Sequence, residues 1–261
     1  MFEVCISQLP KPQPMTVMTH FFQNKLFRWP GRFPWARGEH SSLRANREYF
    51  RSFSQDRPLD EYEFVVVDTE LTGMNQRKDE IVSIGAVRIR QMRIDLQNCF
   101  YTCLRPEQDL PKDSTLIHRI TPCDTETAPT LDDVLPEFVA YCGLALLVGH
   151  NVGMDIGFLN KALRKHMGGI LHNPCLDTMR LAMLYKETQW ENFYDRYNLN
   201  VSYTLGDLSR EYGLPLFGEH NALQDAMQTA YLFLFFVHKL HGGRIKTLRD
   251  LYMAGRGWRW M

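Results

Sequence analysis

The sequence has no excess of either charge, because its 30 Lys and Arg residues are matched by 30 Asp and Glu residues. A protein without net charge has no bulk attraction to phosphates, so any binding of a nucleic acid must come from a local surface. Long apolar runs are also missing. The longest, residues 230–237, is far shorter than the ~20 residues that cross a bilayer. We therefore expect no association with a membrane.

Cysteine is present, but not in a pattern that holds a metal. The six cysteines are scattered, with no Cys-x-x-Cys pair and no zinc-type spacing of Cys and His, which favours reduced thiols in the core. The first residues form no continuous apolar segment of the signal-peptide type, since Pro10, Lys11, Pro12 and Pro14 interrupt them. Together these features predict a reducing, cytoplasmic setting.

Charge and apolar pattern divide the chain of 261 residues into three parts. Residues 1–57 contain nine Lys or Arg against four Asp or Glu, and a polar break at residues 55–62 precedes the first strong strand signal. We expect a basic, aromatic and helical extension over residues 1–60, one main domain over 61–241 and a basic tail over 242–261. The extension has two interpretations: helices packed on the main domain, which we favour, and a surface that stacks and neutralises single strands. The same two interpretations apply to the tail.

The apolar pattern of the main domain predicts an α/β fold, a mixed sheet flanked by helices. Strands are expected at residues 64–67, 80–90 and 96–104, which follow one another without room for helices and therefore form an antiparallel meander. After residue 130 helices and a strand alternate, which indicates the addition of parallel strands. The expected elements of that part are a helix over 130–141, a strand over 144–148, and helices over 155–166, 177–186, 204–212 and 221–241, the last ending at Gly242 and Gly243.

The sharpest local feature is an acidic pair, Asp68 and Glu70, at the end of the first strand. Side chains alternate along a strand, so residues two apart leave the same face together. Two like charges side by side are costly, and a bound hard cation such as Mg²⁺ or Mn²⁺ is the usual remedy. The alternative is a solvated strand end before a turn at Thr72 and Gly73.

Three further polar residues follow at places where sites are common. Asp155 comes after the strand over residues 144–148, at the edge where open α/β sheets bind ligands, although N-capping of a helix is its other interpretation. His220 lies in a loop before the last long helix and Asp225 in the first turns of that helix, so both can converge on one point. Histidine titrates near neutrality, which suits it to activate water, but a structural role is also open to His220.

The order Asp-x-Glu, then Asp155, then His-x-x-x-x-Asp is a specific joint pattern. With it the sequence resembles the DnaQ-like exonucleases of the Asp-Glu-Asp-Asp-His signature, which include the proofreading subunit of DNA polymerase III, ribonuclease T and oligoribonuclease. The resemblance covers roughly residues 62–241, with supporting matches at residues 117–121, 147–151 and 177–178. It implies a ribonuclease-H-like fold and 3′–5′ exonuclease activity.

The resemblance also implies two-metal hydrolysis of a terminal phosphodiester, with Mg²⁺ or Mn²⁺ as the two divalent cations. Asp68 would bridge both cations. Glu70 and Asp225 would bind the cation that holds the attacking water, and Asp155 would serve the other through water. His220 would take the proton from the attacking water.

Four residues are implied as substrate contacts. Family members cradle the 3′-terminal nucleotide with the stretch after the acidic pair, which here is Leu71, Thr72 and Gly73. His118 resembles a family residue near the terminal base. Core packing for Leu71 and a place on a helix surface for His118 are the alternatives.

The resemblance favours single-stranded or frayed DNA 3′ ends as substrate, with release of nucleoside 5′-monophosphates. The stretch Asp68-Thr69-Glu70 matches the proofreading branch, whereas residues 70–74 also resemble oligoribonuclease, so RNA is the alternative. Gln23-Asn24-Lys25-Leu26-Phe27 resembles the peptide by which replication proteins dock on the sliding clamp, which makes a polymerase or a clamp a candidate partner. A noncatalytic polymerase-associated subunit is a further alternative, but no residue of the signature is missing.

Overall fold

The structure, a computed structural model, describes residues 38–189, 201–241 and 245–256. Four expectations concern residues outside these ranges: the helical extension as far as residue 37, the clamp-like peptide over 23–27 within it, the helix end at Gly242 and Gly243, and the end of the tail over 257–261. The described residues belong to one compact unit that begins at Arg37. None of their helices is long and apolar enough to cross a membrane.

A five-stranded mixed sheet forms the centre of this unit. Its strands are β1 (Phe64–Leu71), β2 (Ile81–Arg90), β3 (Arg93–Cys103), β4 (Leu146–Gly149) and β5 (Cys175–Asp177). Their order across the sheet is β3-β2-β1-β4-β5. β1, β2 and β3 pair antiparallel, whereas β4 pairs parallel with β1 and β5 parallel with β4. The expected antiparallel meander with added parallel strands is confirmed.

Helices pack on both faces of the sheet, and the helices predicted after residue 130 are all present. They are α1 (Ser41–Arg51), α2 (Lys112–His118), α3 (Pro122–Glu126), α4 (Leu131–Cys142), α5 (Gly153–Met167), α6 (Thr178–Gln189), α7 (Leu205–Glu211), α8 (Ala222–His241) and α9 (Leu248–Arg256). A short 3₁₀ turn covers Leu59–Glu61.

The first half of β1 is apolar on both of its faces because helices cover both. Phe64 and Val66 join one core with α8, where the rings of Phe64 and Phe233 lie 5.0 Å apart. Val65 and Val67 join a second core with α4 and α5. A strand buried on both faces is expected to form a continuous apolar run rather than an alternating one. The even-numbered residues of β1 therefore point towards the face that α8 covers.

Some elements differ from the sequence-based expectation. β1 runs to Leu71, so Asp68 and Glu70 lie inside the strand rather than after it, because their charges interrupt the apolar run from which a strand is read. α5 begins at Gly153, which makes Asp155 its third residue instead of its first. β5, α2 and α3 were not predicted, since elements of three to seven residues are too short to show a period.

Helices near both ends of the described chain pack into the two cores. Leu43 of α1 is fully buried in the core of α4 and α5, and Leu248 and Leu251 of α9 are buried in the core of α8. An isolated antiparallel bridge joins Pro58 to Thr247. The borders at residues 60 and 241 stay predictions.

Gly85 in β2 is a position where α8 approaches the sheet closely. A Cβ atom there would overlap the backbone of Ala222 and Leu223 at the start of α8. We expect Gly85→Ala to lower the free energy of unfolding by about 1–3 kcal/mol, because the helix backbone must move to accept the methyl group. Urea denaturation followed by circular dichroism would measure the change.

Gly153→Ala is the matched control, since a Cβ atom at Gly153 meets nothing within 4 Å. We expect its free energy of unfolding to stay within about 0.5 kcal/mol of that of the unchanged protein. Equal stability of the Gly85→Ala and Gly153→Ala variants would contradict a close approach of α8 to β2.

Candidate active site

Three carboxylates from two elements meet on the α8 face of the sheet. Asp68 and Glu70 are even-numbered residues of β1, and Asp225 lies in the first turn of α8. Each of the three offers an oxygen atom, and these atoms lie within 4.8 Å of one another, a spacing that fits a metal ion. Because α8 lies close to β2 at Gly85, its first turn brings Asp225 near to Asp68 and Glu70.

Burial and mutual repulsion make these carboxylates hard to ionise. The pKa of Asp68 is raised well above its ordinary value by burial, and further by the charges of Asp155, Asp225 and Glu70. The pKa of Glu70 is raised to about 7 by burial and by the neighbouring carboxylates. None of the ion pairs among the described residues brings a Lys or Arg to this cluster. Four crowded carboxylates that no Lys or Arg of the described residues neutralises could hold a hard divalent cation.

Asp155 belongs to the cluster electrostatically but stands apart from the close group of three. Its side chain is buried, and its Oδ1 accepts hydrogen bonds from the backbone N–H of Thr69 (3.0 Å) and from the hydroxyl of Thr69 (2.6 Å). Burial raises the pKa of Asp155 to about 6, although the bonds from Thr69 oppose this. Val152 occupies the N-cap position of α5, so the N-cap interpretation of Asp155 is wrong.

His220 and Asn221 form the turn that leads into α8. His220 is exposed and has a φ of 63°, a left-handed conformation that few non-glycine residues adopt. The backbone N–H of Asn221 donates to Asp225 Oδ2 (3.1 Å), and the side-chain Oδ1 of Asn221 accepts from the N–H of Gln224 (3.1 Å). Backbone hydrogen bonds from Asn221 and His220 oppose the rise that burial causes in the pKa of Asp225. The turn and the carboxylate therefore fix each other.

His118 lies buried at the end of α2, so its alternative place on a helix surface is wrong. Its Nδ1 accepts a hydrogen bond from the backbone N–H of Ile120 (3.0 Å), which leaves the proton of the neutral ring on Nε2. Among the described residues, Nε2 is buried without a hydrogen-bond partner. Burial lowers the pKa of His118, and the nearby His220 lowers it further. His118 is therefore a neutral imidazole with an unused donor.

Leu71, Thr72 and Gly73 hold the connection from β1 to β2. The N–H of Thr72 donates to the carbonyl of Glu80 (2.9 Å), and the hydroxyl of Thr72 accepts from the N–H of Glu80 (2.9 Å). Gly73 lies against the side chain of Asp79, which leaves no room for a Cβ atom. Leu71 is partly buried against the core of α4 and α5. The side chains of Leu71 and Thr72 are thus engaged within the protein.

Sequence reasoning missed the role of Thr69, which ties β1 to α5 through Asp155. Alternation along the strand places its hydroxyl on the face opposite the acidic pair, but no local pattern indicated that this face meets Asp155 of α5. Asp177 caps the start of α6, since its Oδ1 accepts from the N–H of Met179 in α6 (3.0 Å), and the same oxygen accepts from the N–H of Asn151 (3.0 Å).

Solved structures with similar folds include several nucleases. The chain of exonuclease X in complex with 5′ overhanging duplex DNA aligns with a TM-score of 0.53 and 22% identity, over 74% of this chain and 99% of that one. E. coli exonuclease I in complex with a dT13 oligonucleotide aligns with a TM-score of 0.56 and 16% identity, over 69% of this chain and 43% of that one. These likenesses confirm the expected ribonuclease-H-like fold.

Sequence relatives are known among replication proteins. DNA polymerase III PolC-type of Clostridium perfringens is 33% identical over 197 residues, which are 74% of this chain but only 13% of that protein. DNA polymerase III subunit epsilon of Aquifex aeolicus is 32% identical over 177 residues, 68% of this chain and 81% of that protein. The family model described as "Exonuclease", of the RNase T type, matches residues 65–233. With two thirds of its length matched by that model, the chain belongs to the exonuclease family.

Proposed function

We propose that this protein is a metal-dependent 3′–5′ exonuclease that hydrolyses the terminal phosphodiester of single-stranded or frayed DNA and releases nucleoside 5′-monophosphates. The observation that carries the proposal is the convergence of Asp68, Glu70 and Asp225, whose oxygens lie within 4.8 Å of one another. No Lys or Arg of the described residues forms an ion pair with them. Asp155 and His220 complete the set around them. The family and the relatives named as DNA polymerase III proteins support the same function.

The acidic cluster would hold two divalent cations, Mg²⁺ or Mn²⁺. Asp68 would bridge them, with Glu70 and Asp225 binding one, and Asp155 serving the other through water. The position of Asp155 outside the close group of three, with Oδ1 engaged by Thr69, supports such an outer role. Bound in this way, the cations supply an activated water and stabilise the leaving 3′ oxygen.

His220 would accept the proton of the attacking water. Its turn is fixed to the carboxylate of Asp225 by backbone hydrogen bonds, so the imidazole is tied to the same place as the metal ligands. Its exposure leaves the ring accessible from the substrate side. Histidine is suited to this task because it changes protonation state near neutral pH.

The 3′-terminal nucleotide would lie against His118 and the start of the β1–β2 connection. The free Nε2–H of His118 is a donor near His220, and it can serve an oxygen of the terminal nucleotide. Leu71, Thr72 and Gly73 would contribute mainly backbone and shape, since the side chains of Leu71 and Thr72 are engaged within the protein. RNA is the alternative polymer. The two structurally similar exonucleases were solved in complex with DNA, which favours DNA over RNA.

A place in replication or repair follows from the same proposal. The relatives include the epsilon subunit of DNA polymerase III and polymerases of which this chain spans only 13 to 14%. A polymerase or a sliding clamp is therefore the proposed partner, with residues 23–27 as the proposed contact. A cytoplasmic location is proposed on the same ground. Pull-down with purified clamp, compared with a Leu26→Ala/Phe27→Ala variant, would test the contact.

The substrate can be identified in one set of reactions. We expect release of mononucleotides from 3′-labelled single-stranded DNA in Mg²⁺ or Mn²⁺ and none in EDTA, with slower release from a short RNA of the same sequence. Thin-layer chromatography of the products would distinguish nucleoside 5′-monophosphates from longer fragments. Equal or faster release from RNA would move the proposal to the alternative polymer. Retention of the 3′ label on progressively shorter fragments, without early release of labelled mononucleotide, would refute the direction.

His220→Ala and Asp225→Asn should each lower kcat by two or more powers of ten, because one removes the base and the other a charged metal ligand. His238→Ala is the matched control, since His238 is an exposed histidine near the far end of α8. We expect this control to keep the full rate and both active-site variants to keep the folded circular dichroism spectrum. Normal 3′-end hydrolysis by purified His220→Ala protein would refute the assignment of His220 as the general base.

In the absence of metal, the free energy of unfolding of the protein should fall as the pH rises. The pKa of Glu70 in the folded state, about 7, lies above the ~4.3 expected in the unfolded chain. The folded protein therefore keeps a proton that the unfolded chain loses between these values, so its stability falls across that range. In EDTA at pH 8 we expect Glu70→Gln to raise the free energy of unfolding by about 1–2 kcal/mol, and to have little effect at pH 4.

Saturating Mg²⁺ should reverse the order of the two proteins, because only the unchanged protein retains the full ligand set. Glu107→Gln serves as the control, since Glu107 is exposed and paired with Lys165, which lowers its pKa instead of raising it. A loss of stability in Glu70→Gln in EDTA at pH 8 would contradict the proposed repulsion.

A further inference from the structure

The sheet register brings two residues of β3 to the face that carries the carboxylates. Asp68 pairs with Gly85 in β2, and Gly85 pairs with Tyr101 in β3. Residues paired directly across strands point to the same face of a sheet. Tyr101 therefore stands on the α8 face in line with Asp68, separated from it only by a glycine. The adjacent row, Glu70, Ser83 and Cys103, is formed in the same way.

The first residues of α8 occupy the space above the glycine in this row. The backbone of Ala222 and Leu223 occupies the space above Gly85, so the start of α8 lies between Asp68 on one side and Tyr101 on the other. Tyr101 is half-exposed, its hydroxyl lies 3.5 Å from the Sγ of Cys103, and the side chain of Asn221 is near enough to oppose the rise that burial causes in the pKa of the phenol. The phenol thus contacts the turn that carries His220.

One polar group of Asn221 remains to interact with the phenol of Tyr101. The Oδ1 of Asn221 accepts from the N–H of Gln224, and its backbone N–H donates to Asp225. The Nδ2 group is then the one available to donate to the phenol oxygen. Asn221 is held by the helix and by the carboxylate of Asp225, and the phenol of Tyr101 on β3 lies beside it.

His220 needs such support because its backbone is in an unfavourable conformation. A non-glycine residue with a φ of 63° persists only where its surroundings hold it. The residue that follows it, Asn221, is where the hydrogen bonds of this turn converge. Release of Asn221 on the β3 side would let the turn relax and would move the imidazole away from the point where the carboxylates meet.

We propose that Tyr101 is a positioning residue, which holds the His220–Asn221 turn and the first turn of α8 in register with Asp68 and Glu70. It acts through Asn221 and does not touch the reacting atoms. The proposal rests on the proposed exonuclease function, because its effect is on the placement of the base.

Tyr101→Phe removes only the hydroxyl group and so tests the interaction of the phenol oxygen with Asn221. With 3′-labelled single-stranded DNA and Mg²⁺, we expect kcat to fall about tenfold while KM stays within about twofold, since misplacement of a catalytic group by less than 1 Å is costly. The thermal midpoint should change by no more than about 2 °C, because the phenol is half-exposed. A loss of activity that follows a loss of folded protein would overturn the proposal.

Tyr141→Phe is the matched control. The hydroxyl of Tyr141 donates to the carbonyl of Asn98 (2.6 Å), so this variant also removes a phenol hydrogen bond to β3, away from the acidic cluster. We expect it to keep the kcat of the unchanged protein. An equal fall of kcat in Tyr141→Phe would show that β3 is merely weakened, and would overturn the positioning role.

The double variant Tyr101→Phe/His220→Ala separates positioning of the base from direct contact with substrate. If the phenol acts through His220, its loss should not lower the residual rate of His220→Ala any further, since residues that act as a unit are not additive. A further tenfold fall would overturn the proposal. If the unchanged protein releases no mononucleotide, the proposed function itself fails, whereas full activity in Tyr101→Phe refutes only the role of Tyr101.

Discussion

Mutual repulsion among buried carboxylates is the constraint on which the rest of this structure depends. Asp68, Glu70 and Asp225 place oxygens within 4.8 Å of one another, and Asp155 adds its charge from α5. Nothing in their own chemistry would bring these groups together. The packing of β1 between two apolar cores, and the packing of α8 against β1 through Phe64 and Phe233, supply the force that does.

The same repulsion explains why Thr69 and Asn221 donate hydrogen bonds to carboxylates of the cluster. Thr69 gives two hydrogen bonds to Asp155, and Asn221 gives one to Asp225 while capping the start of α8. Each bond favours the ionised form of its carboxylate and so offsets part of the cost of burial. Gly85 has no side chain, and this lets α8 lie close to the sheet, since any side chain there would overlap the start of the helix. Small and polar residues thus determine the geometry that larger apolar residues hold in place.

Features of the site that depend on residues close in sequence could be predicted, whereas features that depend on the pairing of strands could not. The acidic pair was predictable because residues two apart in a strand share a face, and the long helices because their apolar period extends over many residues. The part played by Thr69 was not predictable, because it depends on which face of β1 meets α5. Tyr101 was missed for a related reason. Its place beside the cluster follows from the register of β2 against β3, which includes a shift between Val87 and Arg88 that no local pattern announces.

The acidity of the site also bears on how a chain without net charge could engage a polyanion. A cluster of four carboxylates repels the phosphodiester that the proposed reaction must bring to it, and the chain has no overall positive charge to compensate. Two divalent cations would change the local sign of the field at the point of reaction. Substrate attraction, in this view, is created at the site only when the metal ligands are filled. Metal binding, folded-state stability and affinity for the 3′ end are then three consequences of the same crowded charges.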